Sequence, residues 1–244
     1  MVINMNIQKN TFLKGIFDGL PIAIGYLSVS FAFGIFSVES GLSILEAILI
    51  SMTNVTSAGH LAAVPIIAGG GAFLELAATQ LVINMRYALM SVSLSQKLNP
   101  DVRLIDRFII SFVNTDEVFA VASSNKGLVK RRYLYGLILT PYLGWALGTF
   151  LGAAAGNILP AIVISSLGVA IYAMFVAIVV PEAKNNQSTA MCVVFAVALS
   201  CVFNFCPGLS SIPQGFIIII CAVTASALFA LTRPIQESEG NSND

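Results

Sequence analysis

Charge is scarce in this sequence. Only 10% of its 244 residues are charged and 57% are hydrophobic, whereas soluble domains carry about 25% charged residues. With a mean hydropathy of +0.88, the composition excludes a soluble globular protein and points to an all-α integral membrane protein. The formal net charge is zero, and no basic block marks a surface for nucleic acid. Histidine is almost missing: His60 stands alone, far from the four cysteines, Cys192, Cys201, Cys206 and Cys221. None of these forms a Cys-x-x-Cys pair, so a zinc site is excluded and the cysteines read as small apolar fillers. No phosphate-binding Gly-x-x-x-x-Gly-Lys-Ser/Thr loop is present, which leaves no ATP-driven motor within the chain. His-Glu-x-x-His and Gly-x-Ser-x-Gly are absent as well. The chain is therefore read as no enzyme, and it implies no cofactor.

What the sequence has is long apolar runs. They predict membrane spans at about 16–38, 42–68, 72–95, 133–155, 158–181, 188–206 and 213–232. Lys9 and Lys14 precede an apolar run without an Ala-x-Ala-like cleavage site, which predicts a retained first helix rather than a signal peptide. Pro21 is placed in the first turns of that helix, and Pro65 is expected to kink the second span. The stretch from Phe108 to Asn125 is apolar at its ends and polar at Asn114-Thr-Asp-Glu117. It either crosses as a short helix or dips back on itself, giving seven or eight spans. The eight-span reading leaves residues 97, 103 and 107 outside and the other lysines and arginines, Arg86 apart, inside. The seven-span reading leaves only Lys9 and Lys14 outside. Eight is preferred, because a crossing helix brings Asp116 and Glu117 to the depth of Arg86.

Ile44–Ser51 aligns with Ile158–Ser165 at an offset of about 114 residues, and Ala32, Gly34 and Phe36 align with Ala146, Gly148 and Phe150. One transport domain built of two structural repeats, about 16–124 and 133–232, is therefore expected; such repeats are common in secondary transporters. Gly144, Gly148, Gly152 and Gly156 form a flat stripe that suits close approach of another helix inside the protein.

Arg86 is the one cation deep in an apolar segment. An arginine at a helix centre costs about 2.5–3.5 kcal/mol on insertion scales, so it needs a partner or a wet cavity. Asp116, or failing that Glu117, is the expected partner. Gln80, Asn84, Tyr87, Ser91 and Ser95 make a polar stripe on the same segment that must face protein or water. In the second span Thr53, Ser57 and His60 share a face, with Asn54 turned to the next. This cluster predicts a substrate-lining or locally unwound segment, with His60 in a polar cavity where it tunes transport with pH.

The order Gly25…Phe33-Gly34, Ser51…Thr56-Ser-Ala-Gly-His60, Asn84-Met-Arg-Tyr87 and Thr115-Asp-Glu117 resembles the AzlC family of branched-chain amino acid permeases. The resemblance extends over about residues 12–232, with His60 standing where relatives usually have glutamine. It implies a multi-pass protein of the bacterial inner membrane that exports leucine, isoleucine, valine or similar amino acids. It also implies a small AzlD-like membrane subunit as partner. A zwitterion needs donors for its carboxylate, acceptors for its ammonium and an apolar pocket. Asn84, Thr53, Ser57 and Arg86 are candidates for the first, Asp116 or Glu117 for the second, and Phe31, Phe33 or Phe112 for the third. Coupling would run to a proton gradient through a carboxylate or His60. The alternative is a structural or channel-like membrane subunit without coupled transport.

Overall fold

The computed structural model describes residues 10–156, 158–160, 183–206, 208–209 and 212–232, with single positions between 162 and 181. Among these the chain is helical, without a named strand: α1 Phe12–Glu39, α2 Ile44–Thr53, α3 Ser57–Ala68, α4 Phe73–Ser95, α5 Leu104–Phe112, α6 Asp116–Ser123, α7 Arg131–Gly156, α8 Gln187–Phe205 and α9 Gln214–Thr232. Four helices, α1, α7, α8 and α9, are long and apolar enough to cross a bilayer. α4 has 23 residues, about 34 Å at 1.5 Å per residue, and is long enough, but it carries Glu75, Gln80, Asn84 and Arg86. The span expected at 158–181 lies largely outside the described residues, as does half of the aligned segment 158–165.

The centre of the fold is the seam between α1 and α7. A Cβ added to Gly148 would lie 2.5 Å from the Leu27 carbonyl oxygen, and one on Gly152 only 1.9 Å from that of Phe31. From the other side, a Cβ on Gly15 would meet the Tyr133 carbonyl and one on Gly34 that of Thr149, at 2.1 and 2.2 Å. Only glycine lets the two backbones come this close, so the stripe predicted on α7 is an internal packing face. Both numberings rise together along the seam, so α1 and α7 run parallel. The first helix is therefore part of the core. Pro21 lies well inside it rather than in its first turns.

The remaining connections can be traced from which ends touch. The amide of Asn99 donates to the Val129 carbonyl and the amide of Val129 to that of Lys97, and Asn10 bonds to the Leu128 carbonyl and the Lys130 amide. The start of α1, the end of α4, the end of α6 and the start of α7 thus share one end of the bundle. Lys97 also donates to the Ser123 carbonyl at the tail of α6. The chain leaves that end along α5, turns at Val113–Thr115 and returns along α6. α2 and α3 mirror this from the opposite end, where α1 finishes and α4 begins. Ser51 meets Thr149 far along α7, Thr56 meets Tyr87 half-way along α4, and His60 lies back beside Ser37 near the end of α1.

Two expectations are corrected here. Residues 42–68 do not make one crossing, and neither do residues 108–125: each is a pair of half-length helices that enters and leaves at the same end. Helices of 8 to 12 residues reach about 12–18 Å, about half of a hydrocarbon core of about 30 Å, so such pieces can only dip. The break in the second segment falls at Asn54–Thr56, not at Pro65, which sits in the last turns of α3. With both segments returning, Lys14, Lys97, Arg103, Arg107, Lys126, Lys130, Arg131 and Arg132 all gather at one end of the bundle. The positive-inside rule makes this end cytoplasmic.

Polar groups at the ends are satisfied locally. Ser43 and Glu46 form a capping box on α2. Asp18 binds Lys14 and accepts from Tyr133. Buried Glu75 accepts the Gly215 amide at 2.9 Å, placing a carboxylate on the amino end of α9, where the helix dipole favours it. Of the four cysteines only Cys221 is buried, and all four are free, so the filler reading fits Cys221 alone.

Candidate functional site

The two hairpin turns meet near the middle of the bundle. Each hands its second half-helix an amino terminus there: α3 begins at Ser57 and α6 at Asp116, and neither N-cap threonine, Thr56 or Thr115, caps its own helix. First-turn amides of α3 therefore lack intrahelical partners and carry the positive end of the helix dipole. The threonines are held instead by tyrosines from the long helices. Tyr87 on α4 donates to Thr56 Oγ1 at 3.1 Å, and Tyr26 on α1 accepts from the Thr115 hydroxyl at 2.6 Å, its own proton going to Glu117.

This pairing exposes a repeat the sequence reading missed. Ser51 and Asn54 at the first turn correspond to Ser111 and Asn114 at the second, sixty residues on, and Tyr26 corresponds to Tyr87. Each tyrosine reaches across to the threonine of the other unit. Because the hairpins enter from opposite ends, the relation is an inverted one, unlike the parallel match at 114 residues.

Between the turns lies a cavity of about 220 Å³ walled by Tyr26, Val55–Ala58, Arg86, Tyr87, Thr115–Glu117 and Trp145. Arg86 Nη1 is 2.7 Å from Asp116 Oδ2, which is the ion pair expected from the sequence, and Arg86 Nη2 donates to Tyr87 at 3.0 Å. Glu117 takes a different partner: Tyr26 donates to its Oε2 at 2.5 Å. Trp145, packed edge-on against Tyr26 at 5.4 Å, is buried, and its Nε1 has no hydrogen-bond partner. The site thus offers donors on the α3 side and carboxylates on the α6 side.

The other predicted residues lie elsewhere. Thr53 bonds back to the Leu49 carbonyl at 2.7 Å and faces outward. Asn54 and Asn84 both donate to Gln80 Oε1, at 3.0 and 3.1 Å, while Gln80 donates to the Gly59 carbonyl at 2.8 Å. They pin the first turn to α4 and do not line the cavity. His60 is fully buried, stacked on Phe33 at 5.0 Å and 11°, so its expected place in a polar cavity is wrong: α3 turns it behind the wall. Phe33 packs there with it, Phe112 faces outward against Tyr142, and Phe31 lies on the α7 seam. Of the eight predicted residues, Ser57, Arg86, Asp116 and Glu117 come together at the cavity.

A family model described as AzlC protein matches residues 21–159. The chain belongs to the AzlC family. The matched stretch contains both hairpins and every residue that walls the cavity. The chain is 28% identical over 229 residues to "Inner membrane protein YgaZ" of Escherichia coli (strain K12), covering 91% of this chain and 90% of that one. It is 33% identical over 191 residues to an uncharacterized membrane protein of Archaeoglobus fulgidus, 78% of this chain and 84% of that one. No solved structure matches it. For this AzlC protein, sequence reasoning missed Tyr26 and Trp145 as site residues. Trp145 is the chain's single tryptophan, a signal that was there to be weighed. Tyr26 had none, since nothing local distinguishes a tyrosine in an apolar helix that meets Glu117 from one that meets lipid.

Proposed function

We propose that this AzlC protein is a secondary transporter that exports branched-chain or related neutral amino acids across the cytoplasmic membrane, coupled to the proton gradient. The observation that carries the reading is the meeting of two half-helix amino termini, one bare and one acidic, at a mid-bundle cavity. Discontinuous helices of this kind place anion-binding amides at the depth where transporters bind substrate. A zwitterion fits the polarity: its carboxylate toward the Ser57–Ala58 amides and Trp145 Nε1, its ammonium toward the Asp116–Glu117 side. Val55, Ala58 and the ring of Trp145 offer apolar surface for an aliphatic side chain.

The AzlD-like subunit belongs to the same proposal. The side chains of Arg86 and Asp116 are 52% and 48% exposed at a depth where hydrocarbon is a costly neighbour for a charge. A second membrane chain laid against α4 and α6 would cover them. Counterflow of labelled leucine, isoleucine and valine in proteoliposomes, with and without that subunit, tests the proposal. Exchange that saturates and is competed by the unlabelled amino acid supports it; non-saturating flux would instead favour a channel, and no flux a structural role.

A further inference from the structure

The adjacent carboxylates of the cavity differ in the chemistry of their partners. Asp116 faces a guanidinium, which has five N–H donors and no acceptor. Protonating Asp116 would give up the ion pair and its charge-assisted bond with no gain from the guanidinium, so this partner favours the anion. Glu117 faces hydroxyls, Tyr26 directly and Thr115 beside it. A hydroxyl donates to a carboxylate and accepts from a carboxylic acid with a rotation of its proton. The same cage therefore serves both protonation states of Glu117 without moving a heavy atom.

From this difference we propose that Glu117 is the group that takes up and releases the coupling proton, with Tyr26 as its positioning residue. This rests on the transport reading above. Uptake forms an O–H bond at Glu117 Oε2, and Tyr26 turns from donor to acceptor; release returns the proton to water at the opposite membrane face. The charged and titratable groups around Glu117 are Tyr26 on α1, Arg86 and Tyr87 on α4, and Asp116 on α6. From α3 and α7 the wall presents Ser57, Ala58 and Trp145, none of which titrates in the working range. His60 is turned away against Phe33. With Arg86 and Asp116 cancelling, Glu117 sets whether the cavity carries a net negative charge or none.

The test uses the full chain, with the small subunit if activity requires it, reconstituted in liposomes with labelled leucine. Wild-type counterflow at equal pH comes first, and its absence overturns the transport reading itself. Given that activity, Glu117→Gln, which mimics the protonated acid, is expected to lose at least tenfold in pH-gradient-driven accumulation. Counterflow, slower for want of the charge facing the ammonium, should lose its pH dependence; where no exchange is left, the Tyr26→Phe variant below decides. Accumulation and pH profile both kept would overturn the proposal. Should the Gln variant not assemble, Tyr26→Phe keeps the carboxylate and removes its donor. The midpoint of the pH profile should then move upward by about half a unit or more, because a hydrogen bond to the charged form is lost. An unmoved midpoint overturns the proposal equally.

Discussion

The two hairpins are the same device built with opposite charge. Each turns at an asparagine, starts its second half-helix at an N-cap threonine, and is tied by a tyrosine from the other unit. After the threonine they diverge: Ser57-Ala58 follows in the first, Asp116-Glu117 in the second. The first leaves its amides free for an anion, while the second fills its own dipole with carboxylates, one of them neutralised by Arg86. Their anchors differ too. The first is held by Gln80 through bonds to Asn54 and to the Gly59 carbonyl, all neutral; the second by the Arg86–Asp116 pair and the Asn114–Ser91 bond. An inverted repeat with identical turns would make a symmetric pore, and divergence at two positions makes a polar site with direction.

The comparison breaks most severely at Gly59. A Cβ there would lie 2.5 Å from Thr56 Cγ2, in the turn itself, and 2.6 Å from Gln80 Oε1, the α4 side chain that anchors it. Gly59→Val is expected to destabilise by about 3 kcal/mol or more, at the upper end of overpacking, read as loss of monodisperse protein in detergent. The anchor of the second hairpin is next. Arg86→Ala and Asp116→Ala should each reduce transport at least tenfold. A double-mutant cycle of thermal stability should give a coupling of about 1–3 kcal/mol, between exposed and buried pairs. Additive effects would show that the pair holds nothing.

Smaller effects sharpen the contrast between neutral and charged anchors. Gln80→Leu removes both ties of the first turn and strands the Gly59 carbonyl, for about 1–3 kcal/mol; Ser91→Ala removes one bond of the second, for about 0.5–1.5 kcal/mol. Equal melting temperatures for these variants would refute the asymmetry. His60→Gln should leave the pH profile of transport unchanged, since His60 packs behind the wall; a flattened profile would return it to the site. Least perturbing of all, single cysteines at Asn99 and Asn125 in a cysteine-free chain should both react with a membrane-impermeant reagent from the cytoplasmic side. Reaction from opposite sides would restore a crossing at 108–125.

Much of this was legible in the residues, and each part for a local reason. Sparse charge and long apolar runs give membrane helices whatever their packing. Arg86 is too costly to leave alone in such a segment, and Asp116-Glu117 were adjacent carboxylates in another, so their pairing followed by elimination. The polar run Thr53–His60 pointed to a substrate-lining or locally unwound segment, because few apolar side chains remain there to face lipid, but not to a reversal of the chain. What the residues could not say is where the chain goes after a break. The residues at the break are compatible with either continuing or turning back, and the hydropathy on either side is the same in both cases. The choice is made by partners far away in sequence: Gln80 for the first turn, Lys97 and Val129 for the end of the second hairpin. The same holds for His60, whose burial on Phe33 depends on how α3 is rotated, and for Tyr26, which meets Glu117 across 91 residues. Composition and periodicity are properties of a segment, and they determined that this chain lives in a membrane and pairs its one deep cation. Only the packing of segments against one another decided that two of them stop half-way and face each other there.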